Sequence, residues 1–416
     1  MSTAVIGLGI LFFLGHALNW FFVKTKIPDL LILVIIGYTL GPILGILSAE
    51  DFGKSGTLIS TLALIVILYE GGLHLSAKDL LTSSLPAAGL SILGFILTGI
   101  CGFIAAYGFA LQTWDVALLI ALAIGSTSSA IVIPMVKQLS IQNKTKTILS
   151  LESAFTDVLT IVIFLVVVDS IATKTFSVKE LLIGIGPNTI QAAFIGIFSA
   201  LIWAFVKRKL SPILPKAFAG EAWALLTYGV LEYTGLNGAI GVLALGFMLA
   251  NLNLLPSWMN SLISNEPVSY KEMSLLSEIT FLLRTFFFLY LGILIKFSSI
   301  KVVLIAVLIC LLIFATRFVI IRFLFKPQKY SKLDAMVAVG MGPRGLACAV
   351  LATIPLQKGI EGGQWIQDTL FAVIPISILL TAVFVALSEN DKMRDRIGVF
   401  FSHYENEPKL LKEPEQ

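Results

Sequence analysis

Apolar runs of about 18 to 27 residues recur along the whole chain, and each is long enough to cross a hydrocarbon core about 30 Å thick. No water reaches backbone N–H and C=O groups in such a core, so each crossing segment must satisfy its own, and a helix does so internally. Thirteen spans are expected, at approximately 4 to 23, 29 to 47, 57 to 74, 84 to 109, 115 to 138, 147 to 170, 181 to 206, 219 to 233, 236 to 252, 274 to 297, 299 to 325, 332 to 356 and 365 to 388. The eighth and ninth are short. The fold class is therefore an all-α polytopic membrane protein. Composition agrees, with 57% of residues apolar and 13% charged, where a soluble domain carries about 25% charged.

The distribution of Lys and Arg orients the chain. About twenty of the 29 fall in alternate loops that share one side. They include Lys24 and Lys26, Lys144 and Lys146, the run Lys207, Arg208, Lys209, then Lys326, Lys329 and Lys332, and Arg394 and Arg396 in the tail. The positive-inside rule then places the N-terminus outside and the C-terminus in the cytoplasm, in a cytoplasmic (inner) membrane. The net charge of +4 is thus a matter of topology and implies no nucleic-acid partner. The first span has no basic leader and reads as a retained helix. Residues 389 to 416 form a short cytoplasmic tail, too small for a nucleotide-binding domain. Cys101, Cys310 and Cys348 lie within spans, and His16, His74 and His403 are scattered, so neither a disulfide framework nor a resident metal or cofactor is expected.

Span centres repeat. The third to sixth spans and the tenth to thirteenth are separated by a nearly constant offset of about 217 residues. Because that offset is seven spans, an odd number, equivalent helices cross in opposite directions, which is the inverted-repeat plan of secondary transporters. The matched fifth and twelfth spans are both interrupted, one by Gly125, Ser126, Thr127, Ser128 and Ser129, the other by Gly340 to Gly345 with Pro343 and Arg344 inside it. Small hydroxylated residues, glycine and proline hold a helix poorly, and irregular backbone at this depth survives only inside protein or against a cavity. Two crossed discontinuous helices therefore point to the binding site.

Beside those breaks the sixth span carries two acids, Glu152 and Asp157. A charged Asp at the centre of a membrane helix costs about 2.5 to 3.5 kcal/mol, so it is a functional candidate by default. Five residues apart, the two acids diverge by about 140° around the helix, while Ser153 shares a face with Asp157 and Thr156 with Glu152. Glu152 lies about 10 Å, and Arg317 about 8 Å, to the cytoplasmic side of their span centres. That common depth suggests a buried ion pair holding the sixth and eleventh spans in register. Asp157 remains as the exchangeable group, supported by the Ser153 hydroxyl and by the hydroxyls and carbonyls around Thr127 and Ser128. Such oxygens suit a hard alkali cation, and a carboxylate drawn out of water also holds a proton more readily. Cation and proton then compete for one group, which yields electroneutral exchange. Among the other intramembrane charges, Arg344 is placed to neutralise carbonyl ends or brace the fold. Glu70 in LYEGGL either approaches the cytoplasmic entrance of the site or caps a helix end. Arg284 either pairs with Glu278 or faces an aqueous cavity.

At these residues the chain resembles the NhaP-type sodium/proton antiporters of the monovalent cation:proton antiporter superfamily. The resemblance runs through Lys26 to Pro42, LYEGGL, GSTSSAIVIP (Gly125 to Pro134), ESAFTDVLTIV (Glu152 to Val162), Arg284 to Ser298, ATRF (Ala315 to Phe318) and GPRGL (Gly342 to Leu346). It implies that Na+ or another alkali cation binds Asp157 with Ser153, and that Glu152 pairs with Arg317. It further implies a homodimer with an elevator-like core domain at approximately 84 to 170 and 299 to 388. A dimerisation or scaffold domain would occupy approximately 1 to 83 and 207 to 297, with a linker helix at 181 to 206. Two departures stand out. The family's T-D-P reads Thr127, Ser128, Ser129 here, and its Asn before the Asp is Thr156. They leave the choice among Na+, Li+ and K+ open. The principal alternative is a Na+- or H+-coupled organic anion transporter of the same architecture, for which Arg344 and Arg284 are the candidate fixed charges. No span carries the polar stripe of a channel, and no paired aspartates, metal ligands or Ser/His pair suggests an enzyme.

Overall fold

The computed structural model describes residues 2–25, 27–75, 77, 85–172, 187–210, 218–256, 268–295, 299–390, 393–394 and 398–405. Lys26, residues 181–186 at the start of the expected linker helix, residues 84 and 296–297 at span ends, and the tail beyond 405 lie outside these. Among the described residues there are fifteen α-helices and no strand. They are α1 (Ser2–Thr25), α2 (Asp29–Tyr38, continued by a π turn Thr39–Ile43), α3 (Ala49–Leu73), α4 (Leu85–Ile104, with a π turn Ala105–Phe109), α5 (Trp114–Ala123), α6 (Ser129–Lys137), α7 (Asn143–Ala172), α8 (Pro187–Leu210), α9 (Ala219–Tyr233), α10 (Gly238–Ala250), α11 (Tyr270–Leu294), α12 (Ile300–Leu324), α13 (Lys332–Gly340), α14 (Leu346–Gln357) and α15 (Gly363–Glu389). All thirteen expected spans coincide with helix, the fifth as α5 and α6, the twelfth as α13 and α14. Among the described residues six helices are long and apolar enough to cross a membrane by length and composition, and six apolar segments are shorter.

The chain divides into two compact units. The first comprises residues 1–15, 48–82 and 165–290. Within it α10 lies against α3 and α8 at backbone distance. A Cβ on Gly246 would stand 2.5 Å from the Tyr69 carbonyl oxygen, and one on Gly196 would stand 2.1 Å from that of Gly241. Small residues are what permit such approach where no hydrophobic force drives helices together. Lys207 at the end of α8 bonds Glu272 in the first turn of α11 at 2.5 Å.

The second unit comprises residues 16–47, 83–164 and 291–416 and contains both interrupted helices. Its apolar core brings together Leu90 of α4, Val132 and Met135 of α6, Leu149 of α7, Ile320 and Ile321 of α12, and Met336 and Val337 of α13. Helix α13 starts at a capping box in which the Ser331 hydroxyl accepts from Asp334 N–H at 3.1 Å and the Asp334 carboxylate accepts from Ser331 N–H at 3.0 Å. The second Asp334 oxygen takes the Gln142 N–H at 2.9 Å, which anchors the chain between α6 and α7. The two breaks meet. Ser128 N–H donates to the Pro343 carbonyl at 2.9 Å, and a Cβ on Gly345 would fall 2.1 Å from the Ser128 hydroxyl oxygen.

Gly345→Ala should therefore force the two breaks apart. Overpacking of this kind costs about 1 to 3 kcal/mol, to be read as a lowered melting temperature in detergent. Gly229→Ala, with nothing within 4 Å of the added carbon, should show no such drop attributable to crowding.

Candidate functional site

The first break arises because α5 ends at Ala123 and α6 begins only at Ser129, leaving Ser126 and Thr127 between them outside either helix. The neighbouring α7 supplies partners for Thr127. Thr127 N–H donates to the Thr156 hydroxyl at 3.0 Å, and the Thr127 hydroxyl donates to Glu152 Oε1 at 2.8 Å. Thr156 and Glu152, four residues apart, lie on one face of α7 and act together. The second break ends α13 at Gly340, a carbonyl end where partial negative charge accumulates, and leaves the Ala338 carbonyl to a side-chain donor.

Arg317 of α12 joins these elements. Its Nη1 donates to Glu152 Oε1 at 2.8 Å, and Nη2 reaches Oε2 at 3.3 Å. Nε and Nη2 also donate to the Ala338 carbonyl near the end of α13, at 3.1 and 2.9 Å. Both ions are buried, Arg317 at 2% and Glu152 at 1% exposure. The guanidinium thus binds α7, the Thr127 segment and α13 at once, with nearly every charge-bearing atom engaged.

Asp157 sits differently. Its Oδ2 accepts two bonds from Ser129, from N–H at 3.1 Å and from the hydroxyl at 2.6 Å. Ser129 is the first residue of α6, so the carboxylate faces a helix N-terminus, where negative charge is favoured. The other oxygen, Oδ1, is buried and has no hydrogen-bond partner, and the same is true of the fully buried Ser126 hydroxyl. One half of the carboxylate is held and the other is uncommitted.

The remaining candidates are distributed as follows. Ser153 is buried, and its hydroxyl donates to the Ser150 carbonyl at 3.0 Å. Ser128 makes the backbone contact to Pro343 already described. Arg344 is 1% exposed. Its N–H donates to the Ser377 hydroxyl at 2.9 Å and Nη1 to the Gly342 carbonyl at 3.2 Å, while Nε is unpartnered. Glu70 and Arg284 belong to the first unit. There the Ser277 hydroxyl donates to Glu70 at 3.1 Å, and the Arg284 guanidinium lies 5.6 Å from the centre of the Phe281 ring. No ion pair between Arg284 and Glu278 is present among the described contacts. The structure therefore brings together Asp157, Glu152, Thr127, Ser128, Thr156, Arg317 and Arg344 within one unit. It also adds Ser129, which sequence reasoning passed over. The signal for it lay in the run Ser128, Ser129, but which hydroxyl meets Asp157 depends on the residue at which α6 begins. No cluster of three His, Cys, Asp or Glu occurs among the described residues.

With Glu152 removed, the guanidinium of Arg317 would be left buried against the Ala338 carbonyl and the Thr127 hydroxyl, without an opposite charge. Glu152→Ala and Arg317→Ala should each cost about 3 to 5 kcal/mol, measured as loss of folded yield and melting temperature. The double substitution Glu152→Leu, Arg317→Met removes both charges and should recover much of that loss.

Comparison with known proteins accords with this geometry. The family described as "Sodium/hydrogen exchanger, transmembrane" matches residues 9–387. The K(+)/H(+) antiporter NhaP2 of Shewanella sp. (strain ANA-3) is 26% identical over 368 residues, covering 86% of this chain and 61% of the relative. The low-affinity Na(+)/H(+) antiporter NhaS1 of Synechocystis sp. is 27% identical over 386 residues, covering 86% and 69%. The chain thus spans less than two thirds of the length of the NhaP2 relative. The structure of the sodium proton antiporter MjNhaP1 from Methanocaldococcus jannaschii at pH 8 superimposes with a TM-score of 0.71 at 21% identity, covering 94% of this chain and 99% of that one.

Proposed function

Since the chain belongs to the transmembrane sodium/hydrogen exchanger family, we propose that it is a monovalent cation/proton antiporter in which the two loads compete for Asp157. The observation that carries the proposal is the divided carboxylate. Asp157 is held through Oδ2 by Ser129 beside two touching helix breaks, while Oδ1 is buried without a partner. Thr127, Ser128, Ser153 and Thr156 are the proposed supporting oxygens, since hydroxyls and unwound carbonyls are the donors a hard cation requires. Glu152 and Arg317 are proposed as the permanent pair. Glu70 is proposed at the entrance.

Charge supports electroneutral exchange. At the helix breaks the charges of Glu152, Asp157, Arg317 and Arg344 sum to zero when Asp157 is ionised. A proton and a monovalent cation each add one positive charge to that sum, so the carrier reaches the same charge with either load. Relatives named for K(+)/H(+) and for Na(+)/H(+) antiport make Na+ and K+ the cations to test first. We further propose a homodimer in the cytoplasmic membrane, with a moving core at approximately 84 to 170 and 299 to 388 and a scaffold at approximately 1 to 83 and 207 to 297. The organic anion reading, for which Arg344 and Arg284 are the candidate charges, is not favoured, because the relatives are named for cation/proton antiport.

The test is proton flux in proteoliposomes under an imposed pH gradient, with Na+, Li+, K+ or organic anions added in turn. Wild type should release protons on addition of an alkali cation, and Asp157→Asn should abolish the response. Full activity in that variant would sink the mechanism, and a response to organic anions alone would favour the rival.

A further inference from the structure

The two oxygens of Asp157 are not equivalent, and one residue makes them so. Ser129 places two donors on Oδ2, the backbone N–H at 3.1 Å and the hydroxyl at 2.6 Å. The shorter contact has the length of a charge-assisted O–H···O bond. A carboxylate oxygen that accepts twice from one residue at a helix N-terminus is poorly placed to take a third ligand. Oδ1 takes no bond at all, although it is buried. Ser126, three residues upstream in the same helix break, is 0% exposed with an unpartnered hydroxyl oxygen. Two buried oxygens, neither satisfied by protein, thus accompany one clamped oxygen. A buried polar atom without a partner is uncommon and asks for an explanation such as an absent ion.

On the exchange reading given above, we infer that Ser129 is a positioning residue that clamps Oδ2 so that the carboxylate binds its cation through Oδ1 alone, with the Ser126 hydroxyl as a further ligand. Cation and proton then compete for one atom, since Oδ1 is also the only Asp157 oxygen open to protonation. A one-oxygen carboxylate keeps the ion close to a single donor and leaves the rest of its shell to hydroxyl, carbonyl and water. Releasing Oδ2 would let the carboxylate chelate with both oxygens, which widens the bite and changes which ion fits. Proline, which the resembled family carries at the position of Ser129, has neither donor. The two parts separate chemically. Ser129→Ala deletes the hydroxyl but keeps the N–H, whereas Ser129→Thr restores both donors.

The experiment titrates Na+ and K+ at fixed pH in proteoliposomes containing wild type, Ser126→Ala, Ser129→Ala, Ser129→Thr and Asp157→Asn. Ser126→Ala should raise the cation KM about tenfold, the usual scale for one lost polar contact, with a smaller change in kcat. Ser129→Ala should alter the ratio of Na+ to K+ KM by at least about threefold, as expected if a ligand geometry and not merely fold stability has changed, and Ser129→Thr should return it. Wild-type KM values and ratio in both alanine variants would overturn the inference while leaving exchange at Asp157 intact. A wild type without any cation-evoked proton movement would overturn both. The infrared difference spectrum of the wild type, recorded with and without Na+, reads the same geometry without substituting either serine. A widely split carboxylate pair that disappears in Asp157→Asn marks one-oxygen binding, and a narrow splitting overturns it even if the serine variants fail to fold.

Discussion

A guanidinium removed from water is tolerable only when its donors are nearly all engaged, and Arg317 achieves this with acceptors from three different pieces of chain. Glu152 provides the opposite charge from α7, and Ala338 provides the carbonyl of a helix cut short. Thr127, bonded to the same Glu152 oxygen, ties in the unwound segment before α6. None of these groups would be stable in its place alone. The break at Thr127 has lost helical acceptors, the Ala338 carbonyl near the end of α13 has a side-chain donor in place of a helical one, and the two ions are each costly to bury. Together they satisfy one another, and the crossing of the two breaks depends on that mutual satisfaction.

The same helix, α7, carries a second acid with a contrasting environment. Glu152 is saturated and points into the bridge, whereas Asp157 lies a little more than one turn further along with half of its carboxylate free. An angular offset of about 140° between positions five apart is enough to send one acid to an arginine and the other to the start of α6. Division of labour between structure and exchange thus follows from helical periodicity. Neither acid differs from the other in intrinsic chemistry by more than about 0.4 pK units as a free side chain; what separates them is what faces them.

The start of α6 has a part in this that goes beyond ending a break. Ser128 gives its N–H to Pro343 across the crossing, while Ser129 turns its own N–H and hydroxyl to Asp157. Adjacent residues of an extended-to-helical junction point their donors in different directions, so one peptide step connects the packing of the two breaks to the orientation of the proposed ion ligand. The glycine at 345 belongs to the same junction, because only a residue without a side chain leaves room for Ser128.

Hydrophobic length alone was sufficient to determine thirteen spans, because lipid leaves the backbone no alternative to helix, and the described helices fall on all of them. The breaks at Gly125 to Ser129 and Gly340 to Gly345 were legible too, since glycine, proline and clustered hydroxyls weaken a helix wherever they occur. Helical spacing and depth could also suggest Glu152 with Arg317. What no periodicity could specify was which of several neighbouring hydroxyls meets Asp157, that Ser153 bonds its own helix at Ser150, or that Ala338 supplies the other half of the arginine's shell. Those contacts depend on the residue at which an unwound segment resumes its helix and on how two such segments cross. Both are settled by packing among elements far apart in sequence, where a displacement of one residue turns a side chain through about 100° and exchanges one partner for another.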